Sequence, residues 1–289
     1  MKKKKSHISV KAGNVEFLKI NSTNWEWRDT YHWIVSLTWP HFALVVVCCF
    51  LALNLMFATA YLLGGNCIGE MRRNSFSEAF FFSVETLATV GYGHMYPITA
   101  YGHIVVTVEL MTGMLWTAVT TGLIFVRFSR PTARVLFSDC IVISAFEGKP
   151  ALMLRVANLR HHTMADAEFR IMFHREEMSL EGESIRRYYP LKLTFDRLII
   201  FPVAMILRHV IDESSQLHEM TLENLKDTDS RFIASVSCVD TVLQAPVQSL
   251  QTYRWEDVSF GKRFVEVYHD GPDGRLIVDY GRLNETENA

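Results

Sequence analysis

Residues 80–97 read FFFSVETLATVGYGHMYP (Phe80 to Pro97), and Thr89-Val90-Gly91-Tyr92-Gly93 within them is a short, glycine-punctuated run. A long hydrophobic stretch lies on either side of it. His41 to Leu63 contains no Lys, Arg, Asp or Glu, and Ile104 to Val126 contains one carboxylate, Glu109. Each stretch is long enough, as a helix of about 35 Å, to cross a bilayer with some tilt. Soluble helices rarely run so far without a polar face, so two spans are expected rather than two core helices.

Charge sets their orientation. Lys2, Lys3, Lys4, Lys5, Lys11, Lys19 and Arg28 precede the first span, Arg127, Arg130 and Arg134 follow the second, and only Arg72 and Arg73 lie between. The positive-inside rule therefore puts both termini in the cytoplasm, at an inner or plasma membrane. Trp25, Tyr31, Trp33 and Trp39 mix with Glu26, Arg28 and Asp29 just before the first span, which suits an amphipathic helix at the inner surface over 25–39. Pro40 suits the first turn of the span.

The segment between the spans is too short to cross again. Ser75 followed by Glu78 is a capping pattern, and Phe76, Ala79, Phe80, Phe82 and Val84 suit a short helix. The chain is thus expected to re-enter the membrane as a half-helix. Irregular backbone at that depth is tolerated only where it is buried in protein or lines a watery cavity. Gly91 and Gly93 accept φ > 0, so successive carbonyls can point one way and replace an ion's hydration shell. The Thr89 hydroxyl adds one more oxygen, and Val90 and Tyr92 are expected to pack behind the loop. One chain supplies one oxygen per level, so a closed ring implies a homo-oligomer.

The rest of the chain is ordinary soluble sequence. In a chain of 289 residues with net charge −2, nothing global points to nucleic acid. Cys48, Cys49, Cys67, Cys140 and Cys238 form no C-x-x-C pair or Cys/His metal spacing, so neither a disulfide framework nor a metal site is expected. The MKKKK start lacks an apolar core after it, so no cleaved signal peptide is expected. ALMLRVANLR, AEFRIMF, YPLKLTFDRLIIF, RFIASVSCV and RFVEVY read as strands, and HDGPDGRLIVDY as a hairpin turning at Asp273-Gly274. Catalytic and nucleotide-binding motifs are missing, which disfavours an enzyme. His161 and His162 read as surface residues.

TVGYG is the pentapeptide of potassium-channel filters. With RFSRPTARVLFS, LMLRVANLR, HVIDESSQL and WEDVSFGKRFVEVY, the chain from about residue 25 to 283 resembles the prokaryotic inward-rectifier potassium channels. The resemblance implies a membrane α-helical pore domain, with two transmembrane helices, a re-entrant pore helix and a filter, plus a cytoplasmic immunoglobulin-like β-sandwich. The expected segments are a basic terminus over 1–24, an interfacial helix over 25–39, the pore over 40–130 and the sandwich over 131–289. It implies a homotetramer, no cofactor, and K⁺ as the permeant ion held at Thr89, Val90, Gly91 and Tyr92.

Other roles come from the same resemblance. Glu85 supports the filter, although the arginine that partners it in eukaryotic relatives is replaced here by His94-Met95-Tyr96. Glu109 is expected to be structural, buried behind the filter. Thr117 stands where strong rectifiers carry an acid, so strong rectification is not expected. Gly122 is the candidate hinge and Phe125, eight residues beyond Thr117, the candidate gate. Arg127, Arg130 and Arg134 are candidate contacts for anionic lipid, with phosphoinositide expected to inhibit. Glu181, Cys238 and Asp240 are candidate cytoplasmic pore positions, Cys238 to Thr241 being read as a loop. The alternatives are a membrane-anchored β-sandwich that binds a partner, and a less selective cation pore.

Overall fold

The computed structural model describes residues 7–12, 15–20, 30–201 and 203–289. The chain forms two compact units, one comprising Asn24–Arg130 and the other Pro131–Ala289 with Met1–Thr23. The expected interfacial residues Trp25, Glu26, Arg28 and Asp29 lie outside the described residues. A hairpin of β1 (His7–Ala12) and β2 (Val15–Ile20) belongs to the second unit.

In the first unit α1 covers Thr30–Ser36 and α2 covers Trp39–Leu63, with a proline in its first turn. The missing proline N–H costs nothing there. A two-residue strand β3 (Ile68–Gly69) leads to α3 (Phe76–Leu87), and its partner β4 (Tyr96–Pro97) follows the glycine-rich loop. The Ser75 side chain accepts the Glu78 N–H at 3.4 Å, capping α3 as expected. Glu78 does not complete a reciprocal box, because its carboxylate accepts the Arg72 N–H at 2.6 Å instead. Last comes α4 (Ala100–Phe128), unbroken for 29 residues. α2 and α4 are both long and apolar enough to span a membrane, and most of their surface is uncovered within one chain. An apolar surface of that size marks a membrane or protein interface.

The second unit is a β-sandwich built from β5 (Val135–Phe137), β6 (Ile141–Phe146), β7 (Lys149–Asn158), β8 (Met164–Met178), β9 (Ser184–Leu191), β10 (Arg197–Phe201) and β11 (Ala204–Val210). After α5 (Leu222–Asp227) it continues with β12 (Arg231–Asp240), β13 (Ala245–Arg254), β14 (Val258–Phe260), β15 (Lys262–Phe264), β16 (Tyr268–Asp270), β17 (Leu276–Val278) and β18 (Thr286–Asn288). One sheet runs β10-β8-β12-β13 with β9 beside β8; the other runs β11-β7-β6-β14 with β5 beside β7. Their facing sides supply the core, Phe169, Ile171, Phe173, Phe232, Ala234 and Val236 meeting Ile141, Leu152, Leu154, Val156 and Leu207. The run expected as one strand over YPLKLTFDRLIIF is two. β9 and β10 pair with successive parts of the long β8, and the Asp196 carbonyl between them accepts the Phe169 N–H at 2.8 Å. The hairpin at Asp273-Gly274 forms as expected, with Tyr268 opposite Val278.

The outer face of the second sheet is covered by the C-terminal segment. Arg155, buried on β7, donates to the carbonyls of Val265, Arg282 and Leu283 and lies over the Phe264 ring. A buried guanidinium is tolerable because backbone oxygens take its donors.

Candidate functional site

The loop after α3 alternates in hand. Thr89, Gly91 and Gly93 have φ of 58°, 57° and 83°, with no left-handed residue between them. An alternation in the sign of φ lets successive carbonyls turn toward one side. The two glycines were legible in sequence; the third left-handed position, Thr89, was not. A β-branched residue there is strained by about 1–2 kcal/mol, the kind of strain that gathers at functional sites. Backbone bonds hold the loop to α3: Val90 and Gly91 N–H both reach the Glu85 carbonyl, at 2.8 and 3.3 Å, and Thr89 N–H reaches the Thr86 carbonyl at 3.0 Å. Val90 and Tyr92 are exposed within the single chain.

Glu85 has a neighbour that its sequence did not suggest. The His94 Nδ1 stands 3.8 Å from its carboxylate, on the far side of the loop. The Glu85 backbone carbonyl, and not its side chain, holds the loop N–H groups.

Behind the loop α3 is seated on α4. Glu109 is fully buried, bonded to the Tyr61 hydroxyl of α2 and the Ser83 hydroxyl of α3. One turn further along α4, a Cβ on Gly113 would lie 2.3 Å from the Leu87 carbonyl. Only glycine lets the end of α3 approach so closely. No role was expected for Gly113. A glycine four residues after a buried acid was the available sign of a shared helix face.

Towards the end of α4, Thr117 and Phe125 are exposed, and a Cβ on Gly122 would meet no atom within 4 Å. At about 100° per residue, Phe125 lies about 80° around the helix from Thr117. Arg127 is committed inside its own unit. Its guanidinium donates to the carbonyls of Ile34, Val35 and Leu37 at 3.1, 3.0 and 2.7 Å, and lies over the rings of Trp39 and Phe42. It thus closes the C-terminal end of α1, where a cation is favoured, and is not a free lipid contact. Arg130 reaches the Val35 carbonyl at 3.3 Å and remains exposed, as does Arg134.

The cytoplasmic pore positions need correction. Cys238 to Thr241 is not a loop: β12 continues through Asp240, and the turn to β13 comes after it. Burial alternates along β12, so Cys238 and Asp240 share the inward face of Phe232, Ala234 and Val236. The Cys238 thiol lies against the Met164 sulfur, and burial pushes its pKa up to about 11. Asp240 accepts the N–H groups of Leu243 and Val242 at 3.0 and 2.9 Å, which hold its carboxyl below the usual range. Being buried, it faces no ion path within its unit. Half-buried His162 stands 3.3 Å from Asp240 rather than free on the surface, and Arg160 stands 3.8 Å away. Glu181 sits exposed in the turn between β8 and β9.

Two apolar spans, a capped half-helix between them, a loop of alternating hand and an appended sandwich define a two-span membrane protein of the ion-channel class. The comparisons agree. Residues 135–289 match the inward rectifier potassium channel C-terminal domain, and residues 42–130 match an ion channel family. The chain is 39% identical over 274 residues to inward rectifier potassium channel Kirbac3.1 of Paramagnetospirillum magnetotacticum, covering 95% of this chain and 92% of that one. It is 28% identical to ATP-sensitive inward rectifier potassium channel 11 of Homo sapiens, covering 90% and 72%. It is 30% identical over 231 residues to G protein-activated inward rectifier potassium channel 3 of Homo sapiens, covering 76% and 58%. The chain belongs to the inward rectifier potassium channel family, in its bacterial branch, and is a membrane channel protein rather than an enzyme.

Proposed function

We propose that four copies of this chain surround a potassium-selective pore, with K⁺ held by the oxygens of Thr89, Val90, Gly91 and Tyr92, no cofactor, and both termini in the cytoplasm. The observation that carries this reading is the alternation of hand at Thr89, Gly91 and Gly93, held to α3 through the Glu85 carbonyl. Four such loops around an axis provide rings of carbonyls in place of water. The exposed Val90, Tyr92 and inner-helix side chains are the surfaces that neighbouring copies cover. The test is ion flux from purified protein in vesicles. A K⁺ gradient drives barium-sensitive flux and a Na⁺ gradient does not; equal fluxes refute a selective filter, and no flux refutes a channel.

The inner helix carries the cavity and the gate. Thr117 is neutral, so it does not draw polycations into the cavity, and rectification is weak. Thr117→Asp is expected to create steep, voltage-dependent spermine block in bilayer recordings. Strong block in the wild type, unchanged by the substitution, places that control elsewhere. Phe125, near the end of α4 and 70% exposed in one chain, forms an apolar ring in four copies that closes the pore by dewetting. Gly122 is the point about which that end of the helix swings.

Anionic lipid, including phosphoinositide, inhibits through the exposed Arg130 and Arg134, each adding about 1 kcal/mol near a charged surface. Phe125→Ala is expected to raise basal K⁺ flux. Joint Arg130→Gln and Arg134→Gln is expected to blunt phosphoinositide inhibition without altering the K⁺/Na⁺ ratio. Unchanged basal flux in Phe125→Ala, with a rise from a substitution in the β12–β13 turn, puts the gate in the sandwich.

A further inference from the structure

Glu109 is fully buried in a membrane-spanning helix, and its contacts come from neutral groups on two other helices. One carboxylate oxygen meets the Tyr61 hydroxyl and the other the Ser83 hydroxyl. The Ser83 hydroxyl also lies 3.0 Å from the side-chain oxygen of Asn54, itself fully buried. The Asn54 amide nitrogen is fixed by a 2.8 Å bond to the Phe50 carbonyl one turn back, and this orients the Asn54 oxygen toward Ser83.

Counting protons then points to the state of the group. Three contacts join Tyr61, Glu109, Ser83 and Asn54, and each needs a hydrogen between its two heavy atoms. The Tyr61 and Ser83 hydroxyls supply one each. Tyr61 donates to Glu109, and Ser83 donates to Asn54, whose oxygen can only accept. The contact between Glu109 and Ser83 lacks a hydrogen unless the carboxyl carries it. A neutral acid also avoids the cost of an unpaired charge in the membrane interior.

We infer that Glu109 is a neutral carboxylic acid that positions the filter, donating to Ser83 and accepting from Tyr61 so that α3 is tied to both membrane-spanning helices. Ser83 lies one turn before Leu87, and Leu87 is seated on Gly113. The bond and the seat together locate the end of α3 from which the loop hangs by the Glu85 carbonyl. This inference rests on the reading of Thr89–Gly93 as a selective filter for its effect on permeation, but not for the protonation state.

Glutamine is the shape and hydrogen-bonding equivalent of a neutral glutamic acid: its amide donates to Ser83 and its oxygen accepts from Tyr61. Leucine offers neither. The experiment takes full-length wild type, Glu109→Gln, Glu109→Leu and Ser83→Ala in vesicles, with K⁺ and Na⁺ flux and infrared difference spectra. The wild type is expected to show the carbonyl stretch of a buried protonated carboxylic acid, absent from Glu109→Gln. Glu109→Gln should keep the K⁺/Na⁺ ratio within about twofold. Glu109→Leu and Ser83→Ala should lower it by about tenfold, the effect of losing a buried hydrogen bond. If Glu109→Leu does not assemble, Ser83→Ala carries that arm alone. An absent carboxylic-acid band, or a Glu109→Gln protein that loses selectivity as Glu109→Leu does, overturns the inference. A wild type that passes K⁺ and Na⁺ equally while showing the band refutes the filter reading and leaves the protonated state standing.

Discussion

Gly113→Ala is expected to abolish K⁺ flux, or to prevent assembly, while Gly122→Ala assembles normally. The two glycines lie on one unbroken helix, nine residues apart, and neither has φ > 0. They differ in what a methyl group would meet. At Gly113 it would fall 2.3 Å from the Leu87 carbonyl oxygen and 3.3 Å from the Leu87 Cα. Those are backbone atoms, so no rotamer change relieves the clash. α3 must move away from α4, and both the Glu109–Ser83 bond and the loop move with it. Overpacking costs about 1–3 kcal/mol per site, which in the four copies proposed above reaches about 4–12 kcal/mol, comparable to the whole stability of many proteins. At Gly122 the added methyl has open space within the chain. Size-exclusion profiles, thermal stability and K⁺ flux of the two variants decide the matter. A Gly113→Ala protein with wild-type stability and flux rules out the seat.

The two spans and the half-helix were legible because the signals were local. A run with no charge, or with one, identifies a span by length alone, and Ser75 before an apolar turn identifies a helix start. The β12 strand was also legible, yet the alternation within it went unused. Counting by twos from Phe232 through Ala234 and Val236 brings Cys238 and Asp240 to the inward face, so the burial of Asp240 could have been read from the sequence. The network around Glu109 could not. Its members Asn54, Tyr61 and Ser83 are separated from it by 55, 48 and 26 positions, and no periodicity links an asparagine on one helix to a carboxyl on another. The same holds for Arg127. Basic residues at the end of a span satisfy the positive-inside rule whether they face lipid or close another helix, and only the three carbonyls of Ile34, Val35 and Leu37 distinguish the cases. His94 was read as the loss of a partner for Glu85, because the expectation was an arginine; the imidazole stands where a partner can reach.

Gly91→Ala is expected to eliminate K⁺ selectivity for a reason opposite to that at Gly113. A Cβ at Gly91 would meet nothing within 4 Å in the chain, so the space is there. The obstacle is torsional. Gly91 sits at φ 57°, in the left-handed region where an L-residue costs about 1–2 kcal/mol. Thr89 already carries such a strain at φ 58°. A second strained position in each chain of the proposed tetramer adds about 4–8 kcal/mol in all to loops that are each held to α3 by three backbone bonds. The lower-energy course is for residue 91 to leave the left-handed region. Its carbonyl then turns away from the axis, and the Gly91 N–H releases the Glu85 carbonyl. In the proposed tetramer an ion entering that level loses hydration without replacement, and a pore with one ring of oxygens missing no longer distinguishes K⁺ from Na⁺. The expected readings are an intact oligomer by size exclusion, and a K⁺/Na⁺ flux ratio near one or no flux at all. Because the cost is torsional, Gly91→Val should be no better than Gly91→Ala despite the open space. An intact Gly91→Ala tetramer with the wild-type flux ratio means that the left-handed conformation at residue 91 is not what selects the ion.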